Sequence, residues 1–325
     1  MKYRRLGRTG LNVSVLSLGS GGPNSFGQSR YAPRKNILQL VRHALQLGIN
    51  FFDTASAYQQ SESMLGEALR EVPRDSYYLA SKIFPVHGST VLSAAETRRT
   101  VEKSLRKLGI EELDILQLHR VSLEFYEETL DRLMPELERL RSEGKIRYIG
   151  ITESSECDPH HRMLRRALLD NLFDTVMVAY HLANTTAEDE VLPLALANDV
   201  GVIGMVAVRH LVTRSRAERL KLFSRNLAGL VTSPPAADKL KLRFWGVLST
   251  LQRSRVKNAI PITRPCAAAP LVLPSAGYTF ATTHPAVATV LTGTNDPAHL
   301  VQNLAAALAP ALTLDEIKRL RALLD

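Results

Sequence analysis

The chain has 325 residues, of which 45% are hydrophobic and 22% are charged, and this composition is typical of a folded globular protein rather than a disordered one. No apolar signal core opens the sequence and no run approaches the roughly 18 apolar residues of a membrane helix, so we expect a cytoplasmic protein without a membrane partner. The net charge of +9 is concentrated between Arg209 and Lys257, where twelve basic side chains accompany only two acidic ones, Glu218 and Asp238.

The amino-terminal region predicts a small hairpin followed by a first strand and helix. Residues 3–14 contain two short extended pieces around a glycine-containing turn, and we expect this hairpin to cap the main fold. The apolar run Val15–Gly19 predicts a strand that leads into a glycine-rich loop. Helical periodicity from Pro33 to Leu47 ends at Gly48, which is a helix stop signal.

Apolar runs followed by helical patterns recur along the rest of the chain. The later predicted strands centre on Phe51-Phe52, Tyr77–Ala80, Ile115–Leu118, Ile146–Ile151, Val176–Ala179, Val200–Val206 and Val287–Leu291. Strands that alternate with helices pair in parallel through right-handed crossovers. About eight such units in one series predict an α/β fold of the (β/α)₈ TIM-barrel type, with residues 1–325 as a single domain.

A long segment after the seventh predicted strand interrupts this regular series. Residues 207–285 form a predicted insertion that contains the basic cluster and several prolines, including Pro234-Pro235. In such a barrel the loops after the strands carry the active site, so the insertion is predicted to lie on the catalytic face. It could hold a phosphorylated ligand there, and a solvated helical face is the alternative.

Four side chains of chemical interest lie at or just beyond the ends of consecutive predicted strands. Asp53 ends the second strand, Tyr58 lies in the loop beyond it, and Lys82 and His119 end the third and fourth strands. Singly, each has an ordinary structural explanation. Because a barrel directs the ends of neighbouring strands into one volume, we predict that all four are catalytic residues of one site.

These side chains suit a site that moves a proton to or from a carbonyl oxygen. A phenol holds its proton too tightly for efficient exchange near neutrality, and an adjacent ammonium stabilises the phenolate. Lys82 can supply this ammonium, and Asp53 can keep it charged and oriented. His119 can hydrogen-bond the substrate oxygen while Tyr58 delivers or removes the proton.

The sequence contains no pattern that indicates a metal site. Cys157 and Cys266 have neither a second cysteine nor a spaced histidine pair nearby. The adjacent pair His160-His161 is predicted to lie at the surface. Without metal ligands, a site that handles a proton on a carbonyl oxygen needs a hydride from elsewhere, which points to a nicotinamide cofactor.

Six different short motifs lie at the amino terminus and at or near the predicted strands. They are Gly7–Leu11, Phe52–Tyr58, Ala80–Lys82, Leu116–His119, Gly144–Gly150, and Gly293-Thr294 followed by Asn303. From Tyr3 to Asn303 the chain resembles the aldo-keto reductase superfamily, and it looks more like the bacterial sugar-dehydrogenase members than the mammalian aldose reductases. The superfamily's tetrad carries over onto Asp53, Tyr58, Lys82 and His119, here called the tetrad. The resemblance implies reduction of aldehydes and ketones, or oxidation of alcohols and sugars, with NADP(H) or NAD(H).

The resemblance also implies which residues bind the cofactor: Gly19, Ser20, Asp53, Thr152, Glu153, Met177, Val206, Arg209, Arg214, Gly293, Thr294, Asn295 and Asn303. Several of these depart from the superfamily's pattern. Thr152-Glu153 replaces a Ser-Asn pair, Met177 replaces a glutamine, and Val206 lies where a tyrosine would stack on the nicotinamide. Basic residues that would hold an adenosine 2′-phosphate are missing near Gly293, which weakens the case for NADP(H) over NAD(H). Arg209 or Arg214 could contact a cofactor phosphate instead.

Two other functions are open from the sequence. A regulatory or interaction protein of the same fold, which binds the cofactor with little turnover, is slightly favoured by the changed nicotinamide contacts. Nucleic-acid binding is disfavoured, because Phe244-Trp245 is the only aromatic pair of the basic segment that could stack on bases. We therefore expect a small carbonyl or alcohol substrate and no nucleic-acid partner.

Overall fold

A computed structural model describes residues 1–21, 26, 33–208 and 273–322, and its centre is a closed barrel of eight parallel strands. In chain order the described strands are β1 (Tyr3–Arg5), β2 (Asn12–Ser14), β3 (Leu16–Gly19), β4 (Phe51–Asp53), β5 (Tyr78–Ile83), β6 (Val86–His87), β7 (Thr90–Val91), β8 (Leu113–Val121), β9 (Ile146–Glu153), β10 (Thr175–Ala179), β11 (Gly201–Met205) and β12 (Val287–Thr292). The barrel runs β3-β4-β5-β8-β9-β10-β11-β12 and closes by pairing β12 with β3. The predicted (β/α)₈ barrel is confirmed.

Helices lie between the barrel strands and after the last one. The described helices are α1 (Arg34–Gln46), α2 (Ser61–Leu69), α3 (Ala94–Leu108), α4 (Tyr126–Ser142), α5 (Arg162–Asp170), α6 (Val191–Ala197), α7 (Leu273–Thr283), α8 (Pro297–Leu308) and α9 (Leu314–Ala322). Local sequence explains their ends, as α3 shows. Ser93 and Glu96 form a capping box at its start, and Gly109 ends it with a left-handed φ of 69°.

Two helices begin later than the sequence pattern predicts, which is a helix over Pro159–Asp170 and another over Ala187–Asn198. For α5, residues 159–161 instead form a turn: the carbonyl of Asp158 accepts a hydrogen bond from the amide of His161 at 3.1 Å, and His161 adopts a left-handed φ of 56°. For α6 a 3₁₀ turn at Thr186–Glu188 takes up the first part of the predicted helix. In both places loop hydrogen bonds shorten the helix.

The amino-terminal hairpin closes one end of the barrel, as predicted. Strands β1 and β2 pair in antiparallel register, and Leu6, Leu11 and Val13 pack into the barrel interior. There they join a cluster that contains side chains from six barrel strands: Phe51, Ala80, Ile115, Met177, Ile203 and Ala288. Because this plug fills the amino ends of the strands, the open mouth lies at their carboxyl ends.

The end of the predicted insertion is regular structure. Helix α7 directly precedes β12, and the Tyr278 hydroxyl donates to Thr292 Oγ1 at 2.9 Å, which joins the helix to that strand. The basic cluster between Arg209 and Lys257 lies outside the described residues. Among the helices that the structure describes, none has the length and apolarity that crossing a membrane requires.

Candidate active site

Asp53 and Lys82 form a buried ion pair at the carboxyl ends of β4 and β5. The Lys82 ammonium donates to Asp53 Oδ2 and, at 2.8 Å, to the carbonyl oxygen of Thr54. The two charged side chains are only 3% and 1% exposed. Burial raises the pKa of the Asp53 carboxyl, and the charge of Lys82 and its hydrogen bond oppose this rise. The pair thus holds an ammonium in a fixed position inside the barrel.

Gln117 also holds Asp53 in place, and this residue was not among the site residues predicted from the sequence. It is fully buried on β8, and its Nε2 donates to Asp53 Oδ1 at 3.2 Å. Gly150 on β9 leaves room for it, because a methyl group there would lie 3.1 Å from Gln117 Cγ. The available signal was a polar side chain in an apolar run, two residues before His119 and therefore on the same face of the strand.

Tyr58 and His119 complete the cluster at the barrel mouth. Tyr58 Oη lies 3.4 Å from His119 Nε2, and their rings meet edge to face with centroids 5.7 Å apart. The Lys82 ammonium is 5.3 Å from the centroid of the Tyr58 ring. The structure therefore brings the four predicted residues together, with a cation beside a half-buried phenol and an imidazole near the phenol oxygen.

His119 is neutral in this environment. Burial lowers the pKa of its imidazole to about 2, and the positive charges of Lys82 and Arg120 add to this effect. The ring of Phe84 stacks on it with centroids 4.3 Å apart, which fixes the plane of the imidazole. A neutral imidazole can donate one hydrogen bond and accept another without adding charge next to Lys82.

A glycine after β3 makes room for the phenol of Tyr58. A methyl group at Gly21 would lie 2.6 Å from Cε2 and 2.8 Å from Oη of that ring. The backbone of this loop therefore passes directly against the side chain, and any residue other than glycine would displace one of the two. The glycine-rich sequence after the first predicted strand was the signal for this contact.

Several residues other than glycine adopt left-handed backbone conformations at this end of the barrel. Gln59, Arg120 and Val206 have φ values of 52°, 57° and 57°, and the valine is the most strained because it is β-branched. At Arg120 the pairing of β8 with β9 shifts register, and its backbone amide instead donates to Thr152 Oγ1 at 2.8 Å. Strain of this kind concentrates where a site must hold a particular geometry.

Thr152 and Glu153 end β9, and both are buried. The hydroxyl of Thr152 accepts a hydrogen bond from the amide of Arg120. This hydrogen bond joins β9 to the residue after His119. Glu153 turns its carboxylate into the protein, where Oε1 accepts from the amide of Ala179 and Oε2 lies 2.7 Å from Nδ1 of His161. The surface prediction for His161 was wrong. The ring is completely buried because the left-handed backbone at this residue directs it towards Glu153.

Met177 lies on β10, and Val206 lies just beyond the neighbouring strand β11. Met177 is 2% exposed and packs with the side chains around the amino-terminal plug. Val206 directly follows β11 and is partly exposed. Neither offers a hydrogen-bonding side chain, so any contact they make with a ligand is apolar. Arg209 and Arg214, predicted farther along this loop, lie outside the described residues.

Next to β11 in the barrel, the ends of β12 and β3 lie together. The amide of Ser20 donates to the carbonyl oxygen of Asp53 at 2.8 Å, and its buried hydroxyl has no hydrogen-bond partner within the described chain. Gly19 pairs with Asp53 in the sheet. Gly293 is exposed beside the loop after β3, where a methyl group on it would be 3.5 Å from the carbonyl oxygen of Gly21.

The remaining predicted cofactor residues lie just before α8 or within it. The Asp296 side chain caps this helix by accepting a hydrogen bond from the amide of Ala298. The Thr294 hydroxyl accepts a hydrogen bond from the amide of Asp296 at 3.1 Å. Asn303 Nδ2 donates a hydrogen bond to Thr292 Oγ1 at 2.9 Å. The side chain of Asn295 is partly exposed. The helix start thus carries an acidic cap and no arginine or lysine among residues 292–303.

Comparisons with known proteins agree on one family. The sequence profile of the aldo/keto reductase family matches residues 17–325. L-galactose dehydrogenase from Arabidopsis thaliana is 32% identical over 208 residues, which cover 62% of this chain and 64% of that protein. A protein from Glycine max, named as a probable aldo-keto reductase, is 30% identical over 210 residues. These residues cover 61% of this chain and 57% of the Glycine max protein. The chain thus matches less than two thirds of each relative's length.

Solved structures extend the likeness over nearly the whole chain. A Pseudomonas aeruginosa structure assigned to the aldo-keto reductases has a TM-score of 0.62 at 27% identity, and the match covers 94% of each chain. The holo form of an aldo-keto reductase from Bacillus halodurans shares the fold with a TM-score of 0.70 at 24% identity, over 100% of this chain and 97% of that one. Profile, fold and sequence relatives agree, and the chain belongs to the aldo/keto reductase family.

Proposed function

We propose that this protein is an NAD(P)(H)-dependent oxidoreductase that interconverts a small carbonyl compound and its alcohol, with Tyr58 as the proton donor and acceptor. One observation carries the proposal: the phenol of Tyr58 lies beside a buried ammonium and 3.4 Å from a neutral imidazole. This arrangement suits proton transfer to an oxygen that becomes negatively charged. Family membership supports the same class of reaction.

Each member of the tetrad has a distinct part in the proposed reaction. Lys82 stabilises negative charge on the phenol oxygen, which lets Tyr58 give up its proton to the substrate and take it back in the reverse direction. Asp53 keeps Lys82 charged and in position. The neutral imidazole of His119 donates a hydrogen bond to the substrate oxygen from Nε2, and this orients the oxygen towards Tyr58.

The proposed cofactor would lie across the mouth, between the ends of β3 and β12 and the ends of β9 to β11. A bound nicotinamide supplies or accepts the hydride of the reaction. The buried Ser20 hydroxyl, which has no partner within the described chain, fits a polar ligand here. Thr294 and Asn295 at the start of α8 would receive the adenosine end, and partly exposed Val206 would offer an apolar contact to the nicotinamide.

One sequence relative supports sugars as the substrate class of the proposed reaction. One of the two relatives described above is a dehydrogenase of L-galactose, a sugar. Sugars and sugar-derived aldehydes are therefore the first compounds to test, followed by small ketones. The tetrad requires only a carbonyl or hydroxyl oxygen within reach of Tyr58 and His119.

A regulatory protein that binds the cofactor with little turnover is the second candidate, and Glu153 favours it. In the superfamily's pattern an asparagine at this position holds the nicotinamide amide. Here the side chain is fully buried and engaged with His161 and Ala179. A cofactor with fewer contacts to its amide would be oriented less strictly for hydride transfer.

Fluorescence titration with NADH and NADPH, followed by a panel of aldehydes, ketones and sugars, tests the proposal. We expect binding of a reduced cofactor and turnover of at least one compound. NADH should bind at least as tightly as NADPH, because Asp296 caps the helix that would receive a 2′-phosphate. Binding without turnover of any compound would support the regulatory protein, and absence of dinucleotide binding would contradict both candidates.

A further inference from the structure

A cavity of about 230 Å³ lies outside the tetrad, on the far side of Phe84. It opens between the loop after β4, the β6–β7 hairpin and one face of α3. Lys103, Ser104 and Lys107 line it from α3, and their spacing along the helix places them on the same face. Its volume is several times the roughly 30 Å³ that one water molecule occupies in the liquid. A small ion with part of its hydration would fit.

The charges around this cavity favour an anion. Among the described residues of the lining, Glu62 is the one carboxylate, and both of its oxygens are already engaged. Oε1 accepts from the Ser81 hydroxyl at 2.8 Å, and Oε2 lies 3.3 Å from the ammonium of Lys107. Within the part of the chain that the structure describes, Lys103 forms no ion pair with a carboxylate. The lining thus has one ammonium in excess.

Ser104 supplies a hydrogen-bonding group that has no assigned role in the fold. The residue is 2% exposed, and among the described residues its Oγ finds no hydrogen-bond partner. Buried hydroxyls are nearly always hydrogen-bonded, so one that lines a cavity without a partner indicates that a ligand or water binds there. An oxyanion would accept from this hydroxyl and from the Lys103 ammonium together.

The cavity is separated from the tetrad by only one layer of side chains. Phe84 lines it, and the same ring stacks on the imidazole of His119 at a centroid distance of 4.3 Å. Glu62 reaches the tetrad by a second route, since it binds the hydroxyl of Ser81, the residue before Lys82. A molecule in the cavity would therefore lie against groups that position two members of the tetrad.

We propose that this cavity is a binding site for a small oxyanion, bound by Lys103, Ser104 and Lys107. The site is distinct from the place where substrate and cofactor are proposed to bind. Phosphate and carboxylate share the required chemistry, a compact negative charge on oxygens that accept hydrogen bonds. The ion completes the hydrogen bonding of Ser104 and neutralises the excess ammonium.

Isothermal titration calorimetry of the full chain with phosphate, acetate and chloride at equal ionic strength tests this site. We expect phosphate, acetate or both to bind with heat that chloride does not produce, and the stronger binder identifies the source of the oxyanion. Lys103→Gln and Ser104→Ala should each weaken that binding about fivefold or more, because each removes one charge-assisted hydrogen bond. Lys318→Gln, an exposed lysine on α9, is the matched control and should bind as wild type does.

A variant in the tetrad distinguishes this site from anion binding beside Tyr58. Tyr58→Phe, which keeps the ring and does not alter the cavity lining, should retain the wild-type affinity for the oxyanion, whereas loss of binding in that variant would place the ion at the tetrad and overturn the proposal. Equal heats for all three anions would also overturn it, as would unchanged affinity in both cavity variants. Because neither cofactor nor turnover enters the measurement, its outcome is independent of the proposed oxidoreductase activity.

Discussion

At the scale of single residues, Lys82 carries an ammonium into the barrel interior, where Asp53 and the carbonyl oxygen of Thr54 receive its hydrogen bonds. Two opposite charges buried in the protein interior depend on each other, because removing one leaves the other without its counter-charge. Gln117 adds a third contact by donating to the second oxygen of Asp53. The position of the ammonium beside Tyr58 is thus set by the fold itself.

Asp53→Asn should destabilise the protein strongly, because it leaves the Lys82 ammonium buried without an anion. We expect the free energy of unfolding, measured by urea denaturation, to fall by about 3–5 kcal/mol. Glu128→Gln is the matched control, since the exposed pair of Glu128 with Arg132 on α4 contributes at most about 1 kcal/mol. A loss for Asp53→Asn no larger than that of the control would show that the buried pair is not essential to the fold.

His119 should make stability depend on pH. Its pKa in the folded protein is lowered to about 2 from an ordinary value of 6.5, so below pH 6.5 the unfolded chain binds a proton that the folded chain does not. The free energy of unfolding should therefore decrease as the pH falls from about 6.5 towards 2, by up to about 1.4 kcal/mol per pH unit. His119→Asn should show a flatter dependence in urea unfolding series. Identical slopes for the two proteins would rule out a depressed pKa at His119.

At the scale of elements, the loop after β3 contributes to the site through its backbone. Gly21→Ala places a methyl group 2.6 Å from the ring of Tyr58, so the phenol or the loop must move. Because a displacement of about 1 Å at a reacting group can cost about a hundredfold in rate, we expect kcat to fall by about that factor with little loss of stability. Steady-state kinetics and thermal unfolding measure the two effects. Wild-type kcat in this variant would show that the contact has no role.

Elements with strong periodicity could be predicted from the sequence, whereas details set by tertiary contacts could not. The strands Ile146–Glu153 and Val287–Thr292 and the helix Pro297–Leu308 follow directly from apolar runs and caps. The late start of α5 depends on Asp158, whose carbonyl accepts a hydrogen bond from the His161 amide and whose side chain accepts one from the Met163 amide, and no periodicity reveals these contacts. The same is true of His161, because its partner Glu153 becomes visible only when β9 and α5 are folded together.

At the scale of the whole molecule, the barrel is closed at one end by the amino-terminal hairpin and open at the other, where the tetrad lies. Convergence of the tetrad could be predicted because parallel strands in one barrel share a carboxyl edge. Gln117 and Gly21 escaped prediction for a related reason. Their importance depends on neighbours from other strands, Asp53 in one case and Tyr58 in the other.

The plug should contribute substantially to the stability of the entire barrel. Leu6 is completely buried at the centre of the plug, next to Gly201 on β11. Leu6→Ala leaves a cavity there and should lower the free energy of unfolding by about 2–5 kcal/mol in urea denaturation. Leu314→Ala on α9 is the control, because that side chain is 77% exposed and its truncation should change stability by less than about 0.5 kcal/mol. An equally small loss of unfolding free energy in Leu6→Ala and Leu314→Ala would mean that the hairpin does not support the barrel.

The single-turnover rate of hydride transfer in Tyr58→Phe, at saturating cofactor, tests the central proposal most directly. Phenylalanine keeps the ring beside Lys82 and removes only the proton-bearing oxygen. We expect the rate to fall by about 10²–10⁴-fold with unchanged cofactor affinity, since general acid catalysis supplies about that factor. Tyr78→Phe, at the opposite end of β4 and β5, should react as wild type does. A Tyr58→Phe rate equal to that of wild type would contradict the role proposed for this phenol.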